Sequence, residues 1–155
     1  MTEYETLAQE LHQSNVEIID YSFQSPNIKG LLIDNVIGIN KNINTSAERT
    51  CVLAEEYGHF LTSSGNILDQ NVTSNRKQEL RARNWAYERM AGLTKILTAY
   101  QNKCHTSYEI AEYLGITEEF LQDALLRYRQ KYGAFATIDN YVIYFEPSFG
   151  VLEIK

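Results

Sequence analysis

The stretch that decides the fold is CVLAEEYGHFL, which runs from Cys51 to Leu61. Residues 45–48 (TSAE) stand before it and supply a helix N-cap and an acidic first turn, which predicts a helix to about Leu61. Glu55 and His59 are four residues apart and therefore project from one face of that helix, with Glu56 beside them. The pattern Glu55-Glu56-x-x-His59 thus matches the motif His-Glu-x-x-His except at its first position.

The motif His-Glu-x-x-His binds zinc through its two histidines, and its glutamate is the general base that activates water. In this chain Glu56 occupies the base position and His59 the second ligand position, whereas Glu55 stands where the first histidine would be. A third ligand must come from elsewhere. Glu79, near the start of the next predicted helix, is the best candidate, and Asp69 in the segment between the helices is a further one.

Glu79 opens a second pattern, Glu79-x-x-Ala82-x-x-Trp85-Ala86. Its small residues would let this helix approach the first one closely, with the tryptophan as a packing anchor. Two predicted strands, residues 29–34 and 36–41, precede both helices and contain KGLL and IGIN. Taken together, these features resemble the ImmA/IrrE metallopeptidases of phages, mobile elements and bacterial chromosomes.

The resemblance covers roughly residues 16–90 and is closest to prophage-encoded members. It implies a zinc-dependent peptidase, often directed at a repressor of a phage or mobile element. Residue by residue, it implies Glu56 as the catalytic base and His59 and Glu79 as metal ligands. The expected partner is therefore a protein substrate.

Glu55 is the departure from the family pattern. With Glu55 as a ligand, the site would offer one imidazole and two carboxylates, so a bound zinc centre would carry less positive charge than with two histidines. Such a centre activates water less and suits harder ions better. We therefore expect a divalent metal, zinc or alternatively manganese, with altered preference and weakened peptidase activity. The alternative is a polar surface without metal, in which an arginine of the next helix (Arg81 or Arg83) neutralises the carboxylates.

The elements around the motif predict an α+β fold in which a small antiparallel sheet packs on a zincin-like helix pair. A helix is predicted over Thr2–Gln13 and a strand over Val16–Phe23, followed by the strand pair 29–34 and 36–41 as local hairpins. Residues 68–75 are predicted to be a loop. The second helix of the pair is predicted over about 76–87, with an extension to residue 100 as the alternative and Gly92 as its end or interruption.

The C-terminal part has the pattern of a winged helix. Helices are predicted over residues 108–114 and 117–132, and strands over 135–138 and 141–145 flank the turn Asp139-Asn140. We divide the chain into a zincin-like core, residues 1–91, and a winged-helix-like part, residues 92–155, with a single domain as the alternative. The second helix begins with Glu118 and Glu119, whose charge would repel phosphate, so a structural or protein-recognition role is favoured over DNA reading.

Composition sets the outer limits. Fourteen basic and twenty acidic residues give a net charge of −6, which argues against a general nucleic-acid binder. Residues 75–104 are the exception, with seven basic and two acidic residues. The longest apolar run is short, no signal-peptide pattern is present, and Cys51 and Cys104 form no disulfide framework. These features predict a cytosolic protein that does not bind membranes, and the family resemblance implies a bacterial host. Cys51 is expected to be a small buried residue rather than a ligand or nucleophile.

Three functions remain open from the sequence. The first is a metal-dependent peptidase of a phage or mobile element that acts on a repressor. The second is a non-catalytic protein that has kept the zincin fold and binds a regulatory partner. The third is a winged-helix DNA-binding regulator.

Overall fold

The computed structural model describes residues 1–63 and 72–155. Its helices and strands confirm the predicted α+β class. In chain order they are α1 (Glu3–Gln13), β1 (Glu17–Tyr21), β2 (Gly30–Ile33), β3 (Val36–Asn40), α2 (Ser46–Thr62), α3 (Val72–Ala91), α4 (Leu93–Gln101), α5 (Ser107–Leu114), α6 (Glu118–Tyr132), β4 (Phe135–Ile138), β5 (Tyr141–Tyr144) and β6 (Gly150–Glu153).

The chain divides into two compact units, Met1–Ala86 and Tyr87–Lys155. The first contains α1, the sheet of β1 to β3, α2 and most of α3. The second contains the last residues of α3, the helices α4 to α6 and the sheet of β4 to β6. The assignment of a zincin-like core to residues 1–91 and a winged-helix-like part to residues 92–155 stays a prediction. No helix in the described ranges is long and apolar enough to cross a membrane.

The first sheet has the strand order β1-β3-β2, and it is mixed rather than antiparallel as predicted. The turn at Asp34, which has a φ of 53°, closes the expected β2–β3 hairpin. β1 lies on the other side of β3 and runs parallel to it, with Ile18 opposite Ile37. The prediction of local hairpins failed here because the segment 22–29 carries the chain past β3 to the far edge. The side chains of Ile37 and Ile39 are completely buried, so β3 is the core strand.

Helix caps explain where α1 and α2 begin. The Thr2 hydroxyl accepts a hydrogen bond from the backbone N–H of Glu5, and the Thr45 hydroxyl accepts one from Glu48. Leu7 and Leu11 of α1 are fully buried, as their helical spacing predicts. Both helices therefore follow their sequence signals.

α3 begins earlier than predicted. It starts at Val72, so residues 72–75 are helical rather than part of a loop, whereas residues 68–71 lie outside the described residues. Residues 72–75 contain one apolar residue, Val72, and so have no apolar period that would have indicated a helix. α3 ends at Ala91, beyond the predicted end near residue 87, and Gly92 separates it from α4, which confirms the predicted interruption at this glycine.

The second unit places two capped helices before a three-stranded antiparallel sheet. Thr106 and Glu109 form a reciprocal capping box at α5, and Gly115 ends this helix in the left-handed conformation. The strands β4 and β5 follow the predicted hairpin, and β6 pairs with β5 as a strand that the sequence did not indicate. The winged-helix assignment stays a prediction.

α2 and α3 approach each other very closely at Gly58. A Cβ atom added to Gly58 would lie 2.3 Å from the carbonyl oxygen of Ala82. Ala82 and Ala86 are completely buried, and the rings of Tyr57 and Trp85 pack at a centroid distance of 4.7 Å. The expected roles of the small residues and the tryptophan are thus met, and Gly58 is a contact residue that the sequence analysis did not single out.

We predict that Gly58→Ala lowers the free energy of unfolding. Alanine favours an isolated helix over glycine by about 1 kcal/mol, so a gain in stability would be the result if the helices were not in contact. Forcing a methyl group against the Ala82 backbone should instead cost about 2 kcal/mol net. Urea denaturation measures the change. Gly38→Ala is the control, since its Cβ would meet the tip of the Phe23 ring at 3.3 Å and all other atoms at ordinary distances of 3.7 Å or more. A stabilised Gly58→Ala would contradict the close contact.

Candidate active site

Glu56 is buried between α2 and the first sheet. The residue is only 8% exposed, although it carries a carboxylate. Gly30 of the edge strand β2 lies against it: a Cβ at Gly30 would be 3.1 Å from Glu56 Cγ and 2.7 Å from Val52 Cγ1. The absence of a side chain at Gly30 therefore lets the strand pack directly over the carboxylate.

His59 meets Glu79 across the contact between α2 and α3. The Nε2 atom of His59 lies 3.0 Å from Glu79 Oε2, and the two side chains are 22% and 45% exposed. The other oxygen, Glu79 Oε1, lies 3.7 Å from the Nε atom of Arg83, one turn further along α3. The Glu79 carboxylate thus contacts the imidazole of His59 on α2 and the guanidinium of Arg83 on its own helix.

The charges of these groups shift one another's protonation. Burial raises the pKa of the Glu56 carboxyl to about 7, which positively charged His59 opposes and the carboxylates of Glu79 and Glu55 reinforce. The hydrogen bond to Glu79 raises the pKa of His59, although burial acts against it. The same hydrogen bond lowers the pKa of Glu79. The contact with Glu79 therefore favours the protonated form of His59, and the Glu56 carboxyl beside it has a pKa close to neutral pH.

The charge of Glu55, which directly precedes Glu56 on α2, also acts on these groups. Glu55 is half-buried, and its charge raises the pKa values of both Glu56 and His59. The structure thus brings Glu55, Glu56, His59 and Glu79 within electrostatic reach of one another. Their roles as metal ligands and base stay predictions.

Metal geometry is not complete within the described residues. Among residues 1–63 and 72–155, no group of three or more His, Cys, Asp or Glu side chains is placed to hold a metal ion. The further ligand candidate Asp69 lies outside the described residues. Cys51 is 7% exposed and lies in the hydrophobic core, as expected of a small buried residue. Arg83, one of the two arginines considered for neutralising the carboxylates, does pair with Glu79.

Gly30 and Gly58 are the functional neighbours that sequence reasoning missed. Each lets a second element approach α2 beside a predicted site residue, Glu56 and His59 respectively. The only available signals were a glycine inside a helix pattern and a glycine at the start of a strand. Such glycines often mark close backbone approach.

We predict that Glu56→Gln stabilises the metal-free chain at alkaline pH. The folded pKa of about 7 is above the ordinary value of 4.5, so the stability linked to Glu56 is fully present below about pH 4.5 and is lost as the pH rises through 7. Glutamine removes the cost of the buried charge, so the variant should gain on the order of 2 kcal/mol at pH 8 and nothing at pH 4.5.

Urea denaturation in the presence of a chelator, at several pH values from 4.5 to 8, measures this difference. Glu112→Gln is the control, because Glu112 is an exposed carboxylate on α5. A Glu56→Gln variant that is less stable than the unmodified chain at every pH would contradict the burial of a charged group.

The comparison with known proteins bears on this same region. Residues 7–126 match the family model Peptidase_M78, which describes the IrrE N-terminal-like domain. No curated protein and no solved structure matches the chain. The matched range includes Glu55, Glu56, His59 and Glu79 and covers most of the sequence. The chain therefore belongs to the ImmA/IrrE family, whose domain is of the metallopeptidase type.

Proposed function

We propose that the chain is a metal-dependent peptidase in which Glu56 is the general base and His59, Glu79 and Glu55 hold the metal. The observation that carries this proposal is the 3.0 Å contact between His59 Nε2 and Glu79 Oε2. Through it, two side chains that commonly ligate metals meet from separate helices next to a buried carboxylate. Family membership independently supports metallopeptidase-like chemistry.

The donor atoms present fit a divalent cation in their chemistry. Imidazole nitrogen and carboxylate oxygen are common zinc ligands, and additional carboxylate oxygens also suit manganese. In the metal-free chain the hydrogen bond to Glu79 raises the pKa of His59 and so favours the protonated imidazole. Ligation requires the neutral imidazole, so binding of a metal should release this proton.

Glu56 has the properties that a general base needs. A pKa near the working pH gives the best compromise between being deprotonated and being able to accept a proton. Burial raises the pKa of Glu56 to about 7, whereas an ordinary glutamate is deprotonated at this pH but is a much weaker base. A bound divalent metal would supply Lewis-acid polarisation of the scissile carbonyl and acidify water. Glu56 would take the proton from the attacking water and return it to the leaving amine.

The edge position of β2 supports a peptide substrate. β2 pairs with β3 on one side only in the described residues, and its Gly30 lies against Glu56. An extended peptide can add to such an edge through main-chain hydrogen bonds. A segment bound there would bring its backbone amide groups close to Glu56.

The biological setting in this proposal rests on family membership and not on geometry. We propose a protein substrate, specifically a repressor of a phage or mobile element, and a location in the cytoplasm of a bacterial host. Nucleic acid is not proposed as the partner, because α6 begins with the acidic residues Glu118 and Glu119.

A non-catalytic binding protein is the second candidate. It is favoured by Glu55 at the first ligand position and by the way His59 and Glu79 satisfy each other's charge without a metal. A site with two carboxylates and one imidazole would also polarise a carbonyl less strongly than the usual family set. In that case the fold would present a surface to a partner without cutting it.

We predict that His59→Ala and Glu79→Gln each remove most of the bound metal. The full chain is loaded with zinc or manganese, dialysed, and analysed for metal per chain. His12→Ala is the matched control, because His12 lies on α1 and belongs to no predicted site. Unchanged metal content in both site variants would overturn the metal centre.

We predict opposite effects for two neighbouring substitutions on peptide hydrolysis. Glu56→Gln should lower the rate at least about 100-fold while leaving the metal content unchanged, because it removes only proton transfer. Glu55→His restores the full motif, so it should raise zinc affinity about tenfold or more and increase the rate of hydrolysis. Hydrolysis of a quenched-fluorescent casein measures both rates, and zinc titration measures the affinity.

Comparison of these variants separates the two candidate functions. Activity in the unmodified chain that Glu56→Gln abolishes supports the peptidase. Activity that appears only with Glu55→His would identify the natural chain as the non-catalytic form.

A further inference from the structure

A local cationic surface lies on the helix that supplies Glu79. The chain as a whole carries a net charge of −6, yet residues 75–104 hold seven basic and two acidic residues. In the first unit, α3 exposes four of these basic side chains to solvent: Arg76, Lys77, Arg81 and Arg83. An acidic chain thus concentrates positive charge next to its candidate active site.

Two of the four residues lie on the side of α3 that carries Glu79. At about 100° per residue, Arg76 and Arg83 are rotated about 60° and 40° from Glu79 in the same direction. Leu80 lies between them along the helix and is 57% exposed. We call Arg76, Leu80 and Arg83 the arginine strip. It brackets Glu79, with one guanidinium about one turn before it and one about a turn after it.

Lys77 and Arg81 face a different side of the same helix. They are rotated about 160° and 200° from Glu79, so they point away from the site. They have the same charge as the arginine strip and are also exposed. This pair is therefore a matched control for any effect of positive charge on α3 as such.

We propose that the arginine strip binds an acidic segment of the protein that the site engages, and so determines which sequences are chosen. The inference deepens the proposed function, since it names the chemistry of the partner of the same site. Guanidinium groups pair with carboxylates through directed hydrogen bonds. Arg76 and Arg83 are about 10 Å apart along the helix. Side chains on one face of an extended peptide are about 7 Å apart at i, i+2 and about 13 Å apart at i, i+4, so two carboxylates on one face can reach both flexible arginine side chains. Leu80 offers an apolar contact between them.

An acidic peptide fits this surface better than a nucleic acid does. A nucleic acid carries a negative charge at every phosphate, and neighbouring phosphates would meet the carboxylates of Glu55, Glu56 and Glu79. A peptide can place carboxylates opposite Arg76 and Arg83 and neutral groups opposite the acidic cleft. The charge pattern therefore favours a protein segment whose acidic residues lie to one side of the peptide bond that the candidate active site would bind.

The test measures binding separately from cleavage. The full chain carrying Glu56→Gln is titrated against a fluorescent peptide that contains a glutamate cluster, and against the same peptide with glutamines, at low ionic strength. We expect the acidic peptide to bind about tenfold more tightly, and the preference to shrink with added salt. Adding Arg76→Ala and Arg83→Ala should remove most of this preference, whereas Lys77→Ala with Arg81→Ala should change it less than about twofold.

Arg76→Ala alone is the decisive variant, because Arg83 also touches Glu79 and its loss could disturb the site itself. Arg76→Lys keeps the charge and should retain part of the preference. Equal binding of the two peptides, or equal losses in both double variants, would overturn the inference. Stronger competition by single-stranded DNA than by the acidic peptide would overturn it in favour of a nucleic-acid partner.

Cleavage assays with the natural Glu56 separate this inference from the proposed function. Equal kcat/KM values for the acidic and neutral peptides would leave the peptidase standing and overturn the arginine strip as a specificity surface. Binding that depends on Arg76 without any cleavage would support the strip and overturn the peptidase.

Discussion

The site depends on how closely two helices pack. At Gly58 the backbone of α3 occupies the space that any side chain would need, with the Ala82 carbonyl oxygen 2.3 Å from the position of a Cβ. Gly58 directly precedes His59, and Ala82 lies one turn after Glu79. The contact between these two small residues therefore sets the distance between the imidazole and the carboxylate. Helices held further apart would leave both groups to water.

Packing also explains the unusual chemistry of Glu56. A carboxylate next to solvent stays ionised at neutral pH, whereas burial under β2 brings this one to a pKa of about 7. The neighbouring imidazolium limits the shift, since opposite charges favour ionisation. The glycine at position 30 thus allows the strand to bury Glu56 and raise its pKa. The glycine at position 58 allows the helices to bring His59 and Glu79 into hydrogen-bond distance.

Sequence patterns predicted the elements that have local causes. Caps at Thr2 and Thr45, apolar periodicity and the turn at Asp34 placed α1, α2 and the β2–β3 hairpin correctly. The predictions of a local hairpin for β1 and of a loop at residues 72–75 were wrong. The parallel pairing of β1 depends on a contact between distant segments, and the first turn of α3 has no apolar period in its sequence. For the site, motif spacing placed Glu55 and His59 on one face of α2, and the second pattern indicated Glu79, which does contact His59. The burial of Glu56 follows from a tertiary contact that spacing does not encode.

The parallel pairing of β1 with β3 has a consequence for the order in which the first unit assembles. The β2–β3 hairpin closes over a tight turn and can form on a microsecond timescale. β1 is synthesised before both strands, yet its hydrogen-bonding partner is the last of the three to emerge. Ile18 and Ile19 therefore have no pairing partners until β3 has been synthesised. Completion of this sheet is thus a late event in folding.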